Sequence, residues 1–374
     1  MVTVDEAVRF RLAGHGLAER GDDLLAAAGA IGVQHTPPGS AGQALHARVR
    51  DLSPDVVKKA LHEDKSLIQV WSVRGAPHVV PTADAAVFTT GLKPCDEEST
   101  LHFIRGAAEH LDALGLTASE AVERTLEALP EVLDGRELTK DELGVALADQ
   151  VRVRKPGKWN EPDGLGKNTY GQSLVRFALY VAGLHGTVCF VSENPARFAL
   201  TEQWLGKPLP PKEEPRAELV RRYLRCHGPS TPGEFAEWSG VSPRFARESW
   251  ELVDPAEVRY RDRTAWTLAG DRPEPPRAKG IRLLPPYDPY LATRDRESLV
   301  ADRQLRERVW RIVGNPGVVL RDGEIAGLWR PRKQGKRLTL TVEAFGELDA
   351  NELVGEAESL APFRGASEVR VQTQ

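Results

Sequence analysis

The stretch from Glu218 to Thr267 constrains the fold more than any other feature, because its start and stop signals fall in one order. Glu218 to Cys226 reads as a helix. Thr231-Pro232-Gly233-Glu234 then sets a hydroxyl at a helix cap and a carboxylate three residues on, the two halves of a capping box. That second helix packs Phe235 and Trp238 and ends at Ser239-Gly240. Ser242-Pro243-Arg244 opens a third, with a Ser cap and Pro in the first turn, and carries Phe245 and Trp250. Val258-Arg259-Tyr260 and Thr264-Ala265-Trp266-Thr267 follow as a short hairpin across Arg261-Asp262-Arg263. Helix, turn and helix with a glycine in the connection form a compact unit.

The outline recurs, although the copies are not alike in sequence. Near the N-terminus, Thr3-Val4-Asp5-Glu6 has the capping-box form, and Val8, Leu12 and Ala13 share a helical face. A helix from Asp22 to Ala30 and another starting at Leu52-Ser53-Pro54-Asp55 follow. Leu67 to Val73 and His78-Val79-Val80 then read as two strands around a turn. In the middle, helices are expected over Leu101 to Leu114, Ala118 to Leu129, after Thr139-Lys140-Asp141-Glu142, and over Tyr170 to Leu184. Val188 to Val191 and Phe198 to Leu200 supply a second hairpin. The proline-rich stretch 206–215 and Pro273 to Pro276 are breaks. Beyond them Asp322-Gly323 marks a hairpin turn, Arg337 to Val342 alternates as a strand, and Asn351 to Leu360 is helical. The fold class expected is α+β: three tandem winged-helix units over residues 1–93, 94–206 and 213–272, then a β-rich domain over 277–374.

Composition narrows the function. A formal charge of -4 excludes a general polycation, so any nucleic-acid binding must come from local clusters. No uncharged run approaches the ~18 residues of a membrane span. The acidic start lacks the features of a signal peptide, and Cys95, Cys189 and Cys226 are too scattered for a zinc site or disulfide framework. A cytoplasmic protein is expected, with no metal or cofactor. No P-loop, GxSxG or HExxH motif occurs, and Gly164-Leu165-Gly166-Lys167 lacks the spacing of a phosphate loop.

Three basic clusters fall on these units. Arg152, Arg154, Lys155 and Lys158 precede a glycine-rich loop with Trp159, Lys167 and Tyr170, a combination that suits a sugar-phosphate backbone. Arg330, Arg332, Lys333, Lys336 and Arg337 sit at a β-hairpin. Arg244 and Arg247 lie where a recognition helix is expected. One such cluster is most simply a solvated surface, whereas three on winged-helix units favour DNA.

Several short stretches, taken in order, resemble the tandem winged-helix DNA glycosylase superfamily, whose known members are AlkZ-like self-resistance enzymes of antibiotic-producing bacteria and their relatives. They are Arg9-Phe10-Arg11-Leu12, Gly32-Val33-Gln34-His35-Thr36, Ala44-Leu45-His46-Ala47-Arg48-Val49 and Ser72-Val73-Arg74-Gly75-Ala76-Pro77-His78. Downstream come Leu283-Leu284-Pro285-Pro286-Tyr287-Asp288-Pro289-Tyr290-Leu291, Arg294-Asp295-Arg296 and Gly327-Leu328-Trp329-Arg330. The resemblance implies winged-helix units in a C-shape and a monofunctional glycosylase acting on double-stranded DNA that carries an alkylated guanine. It also implies a monomer in a bacterial cytoplasm, nucleoid-associated when bound, and a role in antibiotic self-resistance. Arg48, Arg74 and His78, within these stretches, are expected to face DNA.

The resemblance places the catalytic residues in the triplet Gln34, His35 and Thr36. The family holds a Gln-x-Gln or Gln-x-Asp pair there; this chain keeps Gln34 and has Thr36 for the second member. In an extended segment residues 34 and 36 share a side and 35 faces the other. Gln34 and Thr36 then hold a water, while the His35 imidazole suits a general base only if the strand is irregular. Two alternatives stay open here: a non-catalytic winged-helix regulator, and a degenerate glycosylase that binds lesions without cleaving.

Overall fold

The computed structural model describes residues 1–151, 153, 156–268, 275–311 and 313–374. Their contacts define two units, each assembled from separate stretches of chain. The described residues of 1–64, 221–234 and 254–374 form the first, and those of 65–220 and 235–253 the second.

In the first unit a sheet runs in the order Glu368–Thr373, Arg337–Ala344, Glu324–Gln334, Gly317–Arg321, Ile281–Leu284. All neighbours are antiparallel except the first two, which are parallel. A parallel pair needs a crossover, and the helix Ala350–Leu360 provides it. Asp322 and Gly323 turn the Gly317–Gln334 hairpin with φ of 53° and 88°, the backbone that matches a tight turn to strand twist. Along Arg337–Ala344, Leu338, Leu340 and Val342 are buried while Thr339 and Thr341 are half-exposed, the period of a strand with one face in the core. Leu353, Ala357 and Leu360 of the crossover helix close that core around Trp329. The Trp329 indole N–H donates to the Leu284 carbonyl at 2.9 Å, so the ring is buried without an orphaned donor.

The N-terminal helices of this unit pack Leu12, Leu17 and Ala47 against Leu284, Tyr290, Val318 and Leu320. The first, Val4–Gly14, has its capping box formed: the Glu6 N–H donates to Thr3 Oγ1 at 3.2 Å and the Thr3 N–H to Glu6 Oε2 at 2.7 Å. The Thr231–Glu234 box forms likewise, at 3.2 and 3.0 Å.

The second unit packs the helices Ala118–Leu133, Lys140–Gln150 and Tyr170–Gly183 with strands in the order Pro77–Pro81, Leu67–Trp71, Val188–Glu193, Ala196–Leu200, Leu138–Thr139. Trp71 stacks on Phe198 at 4.6 Å within a core that includes Leu129, Leu147 and Leu179. Two expectations need revision. The helix from Ala118 runs through Pro130 to Leu133, although the proline removes one N–H donor from its last turn. The segment 101–114 is two helices, Glu97–Phe103 and Ala108–Leu114, split by a turn at Arg105–Ala107.

Candidate active site

The triplet Gln34-His35-Thr36 lies in the first unit, between the helices Leu24–Gly29 and Ser40–His46. Asp23 caps the first of these, accepting from the Leu25 and Ala26 N–H groups at 2.9 Å. Its last carbonyls are also engaged: Arg222 donates to Gly29 O at 2.6 Å and Cys226 Sγ to Ala30 O at 3.6 Å. The chain then extends through Val33–Gln34. Gly39, at φ 82°, turns it into the next helix, a backbone region that favours glycine.

Side-chain exposure alternates along the triplet. Gln34 is half-buried, His35 is buried and Thr36 is exposed. The Gly39 N–H donates to His35 Nε2 at 3.2 Å, Ser40 Oγ donates to the Gln34 carbonyl at 3.1 Å, and the Ser40 N–H donates to the Pro37 carbonyl at 3.1 Å. Gln43 Nε2 donates to the Gly39 carbonyl at 3.2 Å, and Arg364 Nη1 donates to Gln43 Oε1 at 3.1 Å. Phe363 lies against the helix, 5.2 Å from the His46 ring and so near Gly42 that a Cβ there would come within 3.0 Å of it. The loop is thus clamped by local hydrogen bonds and by residues from the far end of the chain.

His35, expected as a candidate general base, is bonded within its own loop. A neutral imidazole has a single lone-pair nitrogen, and the Gly39 N–H occupies it. His35 therefore holds the loop from beneath. Between Val33 and Gln43 no carboxylate occurs, so the outward chemistry of the loop is an amide and a hydroxyl.

Two buried ion pairs join motif stretches that the sequence sets far apart. Arg48 grips Asp288 with two bonds, 2.7 and 2.8 Å, and donates to the Ala44 carbonyl at 2.7 Å; both side chains are buried. Arg11 donates to Asp295 at 2.9 Å, to Ser298 at 2.7 Å, and to the carbonyls of Gly228 and Pro229 at 3.2 Å. Burial pushes the Asp295 carboxyl up, but the Arg11 charge and the Tyr260 hydroxyl outweigh it and hold the pKa below the usual carboxylate value. Arg48 is thus a core residue with its fork committed to Asp288, which corrects its expected place on a DNA surface.

The other expected DNA contacts divide by environment. His78 is buried, its Nδ1 3.0 Å from the Ala76 carbonyl, which also removes it from a DNA-facing surface. Arg74 is exposed, at φ 56°, and its guanidinium donates to the Trp238 carbonyl. Lys158 lies 2.8 Å from Glu161 and over the Tyr170 ring at 4.3 Å. Lys167 pairs with Asp141 at 2.9 Å; its bond and that of Arg176 lower the Asp141 pKa to about 2. Arg244 pairs with Glu248 at 3.0 Å across one helical turn. Arg330 and Lys333 are exposed on the strand Glu324–Gln334. Arg152, Arg154 and Lys155 lie outside the described residues.

A family model described as DNA glycosylase AlkZ-like matches residues 27–363, a span that holds both the triplet and the Arg48–Asp288 pair. The chain belongs to that family. A curated relative, the interstrand DNA cross-link repair glycosylase of Streptomyces sahachiroi, is 26% identical over 309 residues, covering 76% of each chain. A solved structure, the Streptomyces sahachiroi DNA glycosylase AlkZ, matches with a TM-score of 0.73 at 23% identity, covering 100% of both chains; this is a likeness of fold. No helix among the described residues is long and apolar enough to cross a membrane. No group of three or more metal-ligating side chains occurs among them either.

Within this AlkZ-like chain, sequence reasoning missed the loop's supports. Gln43 had a usable signal, since it stands four residues after Gly39 at helical spacing. Phe363 and Arg364 had none, because a contact across 321 positions leaves no local pattern.

Proposed function

We propose that this protein is a DNA glycosylase that hydrolyses the N-glycosidic bond of N7-alkylguanine adducts, bulky or crosslinking ones above all. The observation that supports this reading is the clamped loop, along which Thr36 is exposed, Gln34 half-buried and His35 buried and bonded to the Gly39 N–H. Membership of the AlkZ-like family and the cross-link repair activity named for the Streptomyces relative support it. The helix-and-hairpin runs are read as winged-helix modules, and Arg74, Lys158, Lys167, Arg244, Arg330 and Lys333 as contacts to phosphates. The ion pairs that exposed members of this set now hold contribute little in water, so a phosphate can replace them.

The chemistry suits such a site. Alkylation at N7 makes guanine a cation that departs as a neutral base, so no strong acid is required. The water oxygen bonds to C1′ as the C1′–N9 pair moves onto the purine, and the water's proton passes to solvent. The Gln34 amide oxygen accepts from that water and orients it. The Thr36 hydroxyl, donor and acceptor both, completes its cage. Because Thr36 is a poor proton acceptor at neutral pH, the site favours lesions that are already good leaving groups.

The test is release of adducted guanine by the pure protein under single turnover. Gln34→Ala should slow release by about 10²-fold, the usual effect of removing one oriented polar group, with folding unchanged. Equal release by both proteins would remove Gln34 from the mechanism.

A further inference from the structure

Away from the triplet, the first unit carries a concavity of about 470 Å³ lined by Arg20, Arg50, Arg277, Lys279 and Arg282, with Glu19 as its one carboxylate. Two of these cations are matched. Arg50 pairs with Asp22 at 2.5 Å, and Arg20 pairs with Glu356 at 2.6 Å while donating to the His46 carbonyl at 3.0 Å. Arg277, Lys279 and Arg282 have no carboxylate within ion-pair distance among the described residues. Glu352 also acts on Arg282, its carboxylate lying beside Gly280 without forming an ion pair.

Local backbone explains the convergence. Ala278 packs into the core beneath, so its neighbours Arg277 and Lys279 turn outward, as alternation in an extended chain requires. Gly280, at φ 74°, then breaks the alternation, and its N–H is pinned by Asp322 at 2.8 Å. Arg282 is thereby brought to the same concavity, where Nη1 donates to the Ile281 carbonyl at 2.9 Å and the buried Nε has no acceptor. Burial, then the charge of Arg20, lower the Arg282 pKa, which an anion would reverse. Guanidinium forks fit phosphate oxygens better than they fit a spherical ion.

We propose that this concavity is a phosphate-binding site, built from Arg277, Lys279 and Arg282 and seating the sugar-phosphate backbone of DNA outside the reacting nucleotide. The reading as a DNA glycosylase supplies only the source of the phosphate; the site itself rests on the charge and geometry above. The test therefore measures binding without base release, so its outcome is independent of catalysis.

The full chain is titrated with an undamaged duplex over a salt series, and separately with inorganic pyrophosphate. Arg277→Glu with Lys279→Glu, both on exposed side chains, is compared with Arg282→Gln and with a control of equal charge change, Lys58→Glu with Arg303→Glu. The expected result is at least tenfold weaker duplex binding by the double variant for every sequence tried. The slope of log affinity against log salt should fall by about 2, as for two lost phosphate contacts. Arg282→Gln should show the same trend, smaller, and the control should keep the original slope. Pyrophosphate binding lost in both site variants with duplex binding intact would keep the site and make a free polyphosphate its ligand. Unchanged binding of both probes, or an equal loss in the control, would overturn the proposal.

Discussion

Arg48–Asp288 and Arg244–Glu248 are both arginine–carboxylate pairs, and their settings could hardly differ more. The first joins residues 240 apart in sequence, with side chains 2% and 0% exposed. The second spans one turn of an exposed helix, with side chains 56% and 42% exposed. Sequence reasoning treated Arg48 and Arg244 alike, as cations for DNA. The difference shows that an arginine in a family motif can belong to the scaffold, while one outside the motifs can lie on the surface. Burial decides, because water screens the exposed pair and cannot reach the buried one.

The largest effect that tests this contrast is Arg48→Ala. It strands the Asp288 carboxylate in the core and should cost about 3–5 kcal/mol in urea unfolding, with any loss of DNA binding secondary to unfolding. A variant of near-native stability that has lost DNA affinity would reverse the assignment.

A second comparison is with pH. His15 is buried between His227, 4.9 Å away, and Tyr290, 5.5 Å away. Burial, then the charge on His227, hold its pKa well below 6.5. The unfolded chain therefore takes up a proton as pH falls through 6.5, while the folded chain does not. Stability should decline as pH drops below 6.5 and be indifferent to this group above it. His15→Leu should flatten that slope between pH 6.5 and 5 in denaturation series; an unchanged slope would assign the acid sensitivity elsewhere. The paired Asp295 acts lower, its contribution being present above the ordinary carboxylate value of 3.8 and lost as pH falls through its depressed folded pKa.

The smallest effect belongs to the exposed pairs. Arg244→Ala and Lys167→Ala should leave the urea midpoint unmoved and weaken binding equally to damaged and intact duplexes. Each should reduce the salt slope by about 1 if its cation meets one phosphate. A shift in stability comparable to that of Arg48→Ala would erase the distinction between the regions.

Much of the architecture was legible beforehand. The capping boxes at Thr3, Thr139 and Thr231 all formed, because their two hydrogen bonds depend only on residues three apart. The Asp322-Gly323 hairpin formed for a similar reason, since its turn dictates φ locally. The candidate site was legible in place but less so in role. Exposure alternates along Gln34, His35 and Thr36, yet His35 also looked chemically apt. Only the Gly39 N–H at its Nε2 shows where its lone pair is spent.

The sequence by itself determined the helices, the hairpins and the order of stretches that places this chain among AlkZ-like glycosylases, because these depend on spacings of a few residues. Tertiary structure alone decided which charges are scaffold and which are surface. Arg48 meets Asp288, Arg364 meets Gln43, and Arg277, Lys279 and Arg282 share one concavity with Arg20 and Arg50. Those outcomes depend on burial and on neighbours brought together across the chain, and neither is written in any local pattern.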